Sequence, residues 1–146
     1  MTTISTAPVA PLLERLFREA DAATPLSSPA FASLSADERI NLMRSKDNYR
    51  DLYASLKEFA LPVSRETGQL LYLLARAMRA RSIVEFGTSF GLSTLHLAAA
   101  LRDNGGGRLI TSEFEPSTIA VANATIAAAG LSAPDGSHSL VIRRPP

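Results

Sequence analysis

Ser82-Ile83-Val84-Glu85-Phe86-Gly87-Thr88-Ser89-Phe90-Gly91-Leu92-Ser93 decides how the rest of the chain is read. A short β-favouring apolar run ends in an acid, a small-residue loop with two glycines follows, and a helical pattern begins. Strand, tight loop and helix is the layout in which an α/β protein presents backbone N–H groups and a helix N-terminus to a ligand. Gly87 lets the chain turn sharply out of the strand. Gly91 is expected to let backbone and ligand approach closely where the helix starts.

Downstream, the strand at 82–86 leads to a helix at 92–102, with Leu95, Leu97, Ala98 and Leu101 inward. Residues 103–107, Asp-Asn-Gly-Gly-Gly, form a turn, and 108–112 a second strand. Pro116 opens an Ala- and Ile-rich helix for which Gly130 is the C-cap residue. Residues 132–136 are turn-like and 139–143 form a third strand, so the order β-α-β-α starts a doubly wound parallel sheet.

Upstream, the period is helical. Leu12, Leu13, Leu16, Phe17 and Ala20 share one face of a helix running to about Ala22, with Pro11 in its first turn. A loop follows at 24–29. Ser35 and Glu38 form a capping box opening a helix that buries Ile40 and Met43. Tyr49, Leu52, Tyr53, Leu56 and Phe59 make a further stripe. Ser64 caps a helix over 65–80 with apolar positions at Leu70, Leu71, Leu74 and Met78. These stripes read as core or as a dimer face, which makes a homodimer through the N-terminal helices an expectation. The expected fold is therefore α/β: an N-terminal helical layer (1–80) and a partial Rossmann-like unit (81–146) forming one incomplete structural domain, with two to three strands present.

Fifteen basic and fourteen acidic side chains nearly cancel, which gives no electrostatic case for nucleic acid or an anionic membrane. The chain has no cysteine, so disulfides and thiolate metal sites are excluded. The apolar stretch at 70–80 is too short to span a bilayer and is interrupted by Arg76 and Arg79. No basic segment followed by an apolar one marks the N-terminus as a secretory signal, so the expected location is cytoplasmic.

Three side chains give the loop its chemistry. Glu85, at the end of the first strand, suits a ligand ammonium. Ser93, in the first helical turn, suits a carboxylate that the helix dipole also attracts. Glu113, at the end of the second strand, is placed to accept both hydroxyls of a ribose. Phe114 suits an adenine face. Singly, each has a simpler role: a strand-end acid on a backbone amide, or a helix-start hydroxyl. Glu115 suits the cap of the next helix. Together they converge at the carboxyl edge of adjacent parallel strands, where such folds bind ligands. An amino-acid head joined to a ribose and a purine describes S-adenosylmethionine.

Other motifs fit less well. Gly87-Thr88-Ser89-Phe90-Gly91 matches the G-x-S-x-G elbow of serine hydrolases, with Ser89 as nucleophile. The downstream histidines are His96, inside the following helix, and His138, three residues from Asp135, so a triad on separate loops is not in evidence. A G-x-G-x-x-G fingerprint would need glycine at 89 and 92, and no Gly-Lys-Ser/Thr completes a P-loop. His96 and His138 lack metal-ligand spacing with carboxylates, and His96 reads as a helix-face residue.

The stretch at 84–93 resembles motif I of class I S-adenosylmethionine-dependent methyltransferases, within the O-methyltransferase group of catechol and caffeoyl-CoA O-methyltransferases. Residues 108–116 resemble their second strand with its ribose-binding acid, and 128–131 the end of the next helix. Leu61-Pro62-Val63-Ser64, followed by Gly68-Gln69-Leu70-Leu71, is similar to their cofactor-covering segment and the helix after it.

The resemblance implies methyl transfer to a hydroxyl of a small-molecule acceptor. It implies that Glu85 and Ser93 hold the methionine moiety, Gly87 and Ser89 line the loop, Glu113 holds the ribose and Phe114 contacts adenine, with Val63 and Ser64 closing over the methionine end. The family continues past Leu131 into metal-binding aspartates, in many members a catalytic lysine, and further strands. Residues 132–146 show none of that pattern. The expectation is a chain truncated after its second βα unit, carrying the cofactor-binding part, with ligands for a divalent metal such as Mg²⁺ absent. The alternatives are a catalytically inactive cofactor-binding or dimerising fragment and, more remotely, a serine hydrolase.

Overall fold

A computed structural model describes residues 1–23, 29, 33–45, 56–132 and 138–144. The expected stripe at Tyr49, Leu52 and Tyr53, most of the loop at 24–29, the side chains of Met43 and His138, and Asp135 lie outside the described residues.

Three helices of the first half are described: α1 (Val9–Ala22), α2 (Ala36–Arg44) and α3 (Arg65–Ala77), with a 3-10 turn at Thr3–Ser5 before them. Ser35 and Glu38 form the reciprocal capping box at the start of α2, which satisfies two otherwise orphaned N–H groups. Ser64 Oγ accepts the Thr67 N–H at 3.2 Å and starts α3.

The period then changes from helical to extended. The remaining elements are β1 (Ser82–Phe86), α4 (Leu92–Asp103), β2 (Gly107–Ser112), α5 (Pro116–Ala128) and β3 (His138–Arg143). The strands are parallel in the order β1-β2-β3. Phe86 pairs with Ser112, and Ser112 with Arg143, so all three strands end level with one another. That register brings the loop after β1 and the acid after β2 to the same edge.

The main core joins both halves of the chain. Val9, Leu12, Leu13, Leu16 and Phe17 of α1 pack in one cluster with Leu92, Leu95 and Leu101 of α4, Leu109 of β2 and Ile126 of α5. The α4 helix lies in the middle of this layer and is buried on nearly every side. Its C-terminal end is tied to α3 by Asn104, whose amide donates to the carbonyls of Ala75 and Ala80 at 3.1 and 3.0 Å. Arg76 donates back to Asn104 Oδ1 at 3.0 Å.

One expectation about burial needs correction. Ile40 is 47% exposed. In α3 the buried positions are Gly68, Tyr72 and Ala75, a stripe of alternating four- and three-residue steps that packs on α4. Leu70, Leu73, Leu74 and Met78 of the same region are exposed. In β1, Val84 and Phe86 are likewise exposed.

Candidate functional site at the carboxyl edge of the sheet

The chain leaves β1 through Gly87, which has a φ of 85°. A β-carbon built there meets nothing within 4 Å, so the inside of the turn is open. Ser89 follows with a φ of 48°, a left-handed conformation that is uncommon for a residue with a side chain. Gly91 (φ 89°) begins α4. Its role differs from the expected close approach to a ligand: a β-carbon at Gly91 would face Ala122 and Thr125 of α5. Glycine is required there by the backbone angle.

Long-range hydrogen bonds hold the loop in this shape. Gly87 and Thr88 both donate their N–H groups to the Ser112 carbonyl, at 3.1 and 2.9 Å. The Thr88 hydroxyl, buried, lies 2.7 Å from the buried Thr111 hydroxyl and donates to Ser112 O at 3.0 Å. The loop is thus bonded to the end of the neighbouring strand.

Glu113 completes the arrangement. Its Oε2 accepts the Ser89 N–H at 3.0 Å, and its Oε1 accepts the N–H groups of Phe114 and Glu115 at 2.8 and 3.1 Å. The carboxylate read from the sequence as a ribose acceptor therefore also organises backbone. A carboxylate has about four lone-pair positions, so one remains for a ligand hydroxyl while these three bonds persist. Glu115 caps α5 through Ser117.

Glu85 and Ser93 are brought together. Ser93 Oγ donates to Glu85 Oε1 at 2.6 Å, and Thr94 Oγ1 donates to Oε2 at 2.6 Å. The acid at the end of β1 is thereby joined to the first turn of α4. From the sequence alone both groups point to a ligand, whereas the partner of Thr94 is identifiable only once strand and helix are packed.

A cavity of about 350 Å³ opens beside the loop. Gly87, Ser89, Glu113 and Phe114 line it, together with Leu56, Lys57, Phe59, Leu61, Phe86, Ser112, Glu115 and Thr118. Glu85, Ser93, Val63 and Ser64 are not among its lining residues. Leu56 and Phe59 were visible in the sequence as a hydrophobic stripe, and their place at a cavity wall was not. Leu61 reaches the site through its backbone, donating its N–H to Ser89 Oγ at 3.1 Å.

The same bond bears on the hydrolase reading, since Ser89 Oγ is engaged by a backbone amide. His96 is buried in α4, with Nδ1 2.7 Å from the Leu92 carbonyl and its ring edge-on to Phe17. Burial lowers its pKa, against the smaller opposing effect of the Leu92 carbonyl. Among the described residues, no group of three His, Asp or Glu side chains is arranged to hold a metal. No described helix is long and apolar enough to cross a membrane.

A profile of the O-methyltransferase family matches residues 33–134. The chain belongs to the O-methyltransferase family. A catechol O-methyltransferase from Niastella koreensis is 46% identical over 80 residues, covering 53% of this chain and 35% of that protein. Among solved structures, the O-methyltransferase TomG of Streptomyces achromogenes, in complex with SAM, superposes with a TM-score of 0.50 at 31% identity. That match covers 76% of this chain and 53% of TomG. An O-methyltransferase structure from Klebsiella pneumoniae gives 0.51 at 28% identity, covering 75% of this chain and 49% of that one. The chain spans about a third of the length of the curated relative and about half of these solved family members. Its three parallel strands and covering helices have the Rossmann-like methyltransferase fold.

Proposed function

We propose that this chain forms the S-adenosylmethionine-binding part of an O-methyltransferase that methylates a hydroxyl of a small molecule. The observation that carries the reading is the convergence of the open turn at Gly87, the Glu113 carboxylate and Phe114 on one cavity of about 350 Å³. That volume lies in the range of small-molecule sites, roughly 300–1,000 Å³. The residues fit the cofactor: Glu113 keeps a free acceptor position for a ribose hydroxyl, and Phe114 and Phe59 offer apolar faces to a purine. Glu85, Ser93, Val63 and Ser64 are proposed to hold the methionine end. Glu85, bonded to the Ser93 and Thr94 hydroxyls, is oriented to receive an ammonium.

The bound cofactor would supply an activated methyl group. The protein's part is to hold that group and an acceptor oxygen in line. No metal ligands are assigned, since the described acids at the edge are engaged with backbone and hydroxyl groups. We further infer that residues 1–80 serve as a helical layer of the same domain as 81–146, that the protein is cytoplasmic, and that it pairs as a homodimer. The exposed Leu70, Leu73, Leu74 and Met78 support the last point.

Calorimetry with S-adenosylhomocysteine tests the cofactor site. Binding is expected, with affinity lowered about ten- to a hundredfold in Glu113→Ala, the effect of losing hydrogen bonds to a charged group. Absence of binding by the wild-type chain would overturn the reading. Methyl transfer to catechol-type acceptors with Mg²⁺ present tests the activity, and binding without transfer would leave this chain as a cofactor-holding unit only.

A further inference from the structure

Ser89 has an unusual set of constraints for a residue of a ligand loop. Its backbone is left-handed, its N–H is held by Glu113 at 3.0 Å, and its hydroxyl accepts the Leu61 N–H at 3.1 Å. Leu61 lies 28 positions earlier in the chain, in the segment that enters α3, and both residues line the same cavity. Between Phe59 and Ser64 no regular secondary structure supplies backbone partners to this segment. Leu61 is itself 38% exposed, so its side chain is only partly buried. The Ser89 hydroxyl is the long-range polar bond at its amide.

We propose that Ser89 is a positioning residue that straps the segment at 59–61 against the cavity and thereby sets how long a ligand stays bound. The inference rests on the cavity being the cofactor site, and it extends that reading from what binds to what retains it. Glu113 sits at the other end of the same relay. A ligand hydroxyl at Glu113 occupies the lone pair left beside the Ser89 N–H, so the ligand and the strap meet on adjacent bonds of one residue. Ser89, left-handed in its backbone, thus carries both bonds, its hydroxyl to Leu61 and its amide to Glu113.

The test compares the wild type with Ser89→Ala and Ser89→Gly. Alanine removes the hydroxyl and keeps a side chain at the left-handed position. Glycine removes the hydroxyl and also relieves the backbone. Two quantities are read: hydrogen exchange at the Leu61 amide in the ligand-free protein, and the association and dissociation rates of S-adenosylhomocysteine. Both variants are expected to exchange Leu61 roughly fivefold faster and to release the ligand roughly fivefold faster, the effect of one net hydrogen bond, with association little changed. Unchanged Leu61 exchange would overturn the strap. Faster exchange with an unaltered dissociation rate would overturn its role in retention. Recovery of wild-type dissociation by glycine but not by alanine would assign the effect to backbone strain and overturn the hydroxyl's part. If the wild type fails to bind S-adenosylhomocysteine, the cofactor reading falls, while Leu61 exchange still decides whether the strap exists.

Discussion

A β-carbon placed on Gly68 of α3 falls 2.6 Å from Cε1 of His96 in α4. The two helices meet at this point because one side chain is missing and the other is a flat ring. Gly68→Ala is expected to destabilise the protein by about 1–3 kcal/mol through overpacking. The intrinsic gain of alanine over glycine in a helix is only about 1 kcal/mol, so the clash outweighs it. Thermal unfolding measures the net sign, and a stabilised Gly68→Ala variant would show that the contact yields freely.

His96 should make stability depend on pH. It is buried, and desolvation holds its pKa below the ordinary value of 6.5. Arg65 and Glu14 line the cleft it borders, on α3 and α1, and Arg65 also pairs with Glu14 and Asp21. The unfolded chain binds a proton at higher pH than the folded one does. Stability is therefore expected to fall as pH drops below about 6.5 and to level off only once the folded histidine is protonated too. In a His96→Gln variant the slope of Tm against pH between about 5 and 7 should flatten. An unchanged slope would assign the dependence to other groups.

Asp103 anchors the N-terminus. It accepts the Thr3 N–H and hydroxyl, the latter at 2.6 Å, and the Tyr72 hydroxyl at 2.7 Å. Burial opposes its ionisation, but the bonds from Thr3 and Tyr72 outweigh that and hold the carboxyl below its usual range. Its contribution is thus fully present above the ordinary carboxylate pKa and lost as pH falls through the lower folded value. Asp103→Ala is expected to cost about 1.5–3 kcal/mol, as for bonds to a charged group, and to speed proteolysis within the first eight residues. Wild-type protease resistance would contradict the anchoring role.

Thr88 and Thr111 make an asymmetric pair. Thr88 Oγ1 has a second partner, the Ser112 carbonyl, whereas the bond to Thr88 is the one found for the Thr111 hydroxyl. Thr88→Val should therefore cost more, about 1–3 kcal/mol, because it leaves the buried Thr111 hydroxyl without that partner. Thr111→Val should cost less, since the Thr88 hydroxyl retains Ser112. The double variant should lie above the sum of the two in stability, as read by denaturant unfolding. Equal single effects would show that the pairing is not asymmetric.

The sequence carried the local part of this protein. The strand at Ser82–Phe86, the turn at Gly87, the capping box at Ser35 and Glu38, and the helix opened by Pro116 were legible because each depends on neighbours in the chain. The β-α-β-α order implied adjacent parallel strands, whose shared carboxyl edge holds Gly87, Ser89, Glu113 and Phe114.

Only the tertiary structure decided which partner each polar atom takes and which apolar face is covered. Leucine spacing in α3 pointed to Leu70 and Leu74 as packing positions. The surface of α4 instead accepted Gly68, Tyr72 and Ala75, because a close helix contact needs small or flat groups where the axes approach. Glu85 and Glu113 were recognisable as acids at strand ends, but their carboxylates seek the nearest donors once packed. Those donors are Ser93 and Thr94 for one and the Ser89, Phe114 and Glu115 amides for the other. Distances of a few ångströms between residues far apart in the chain are set by register and packing, and no local pattern encodes them.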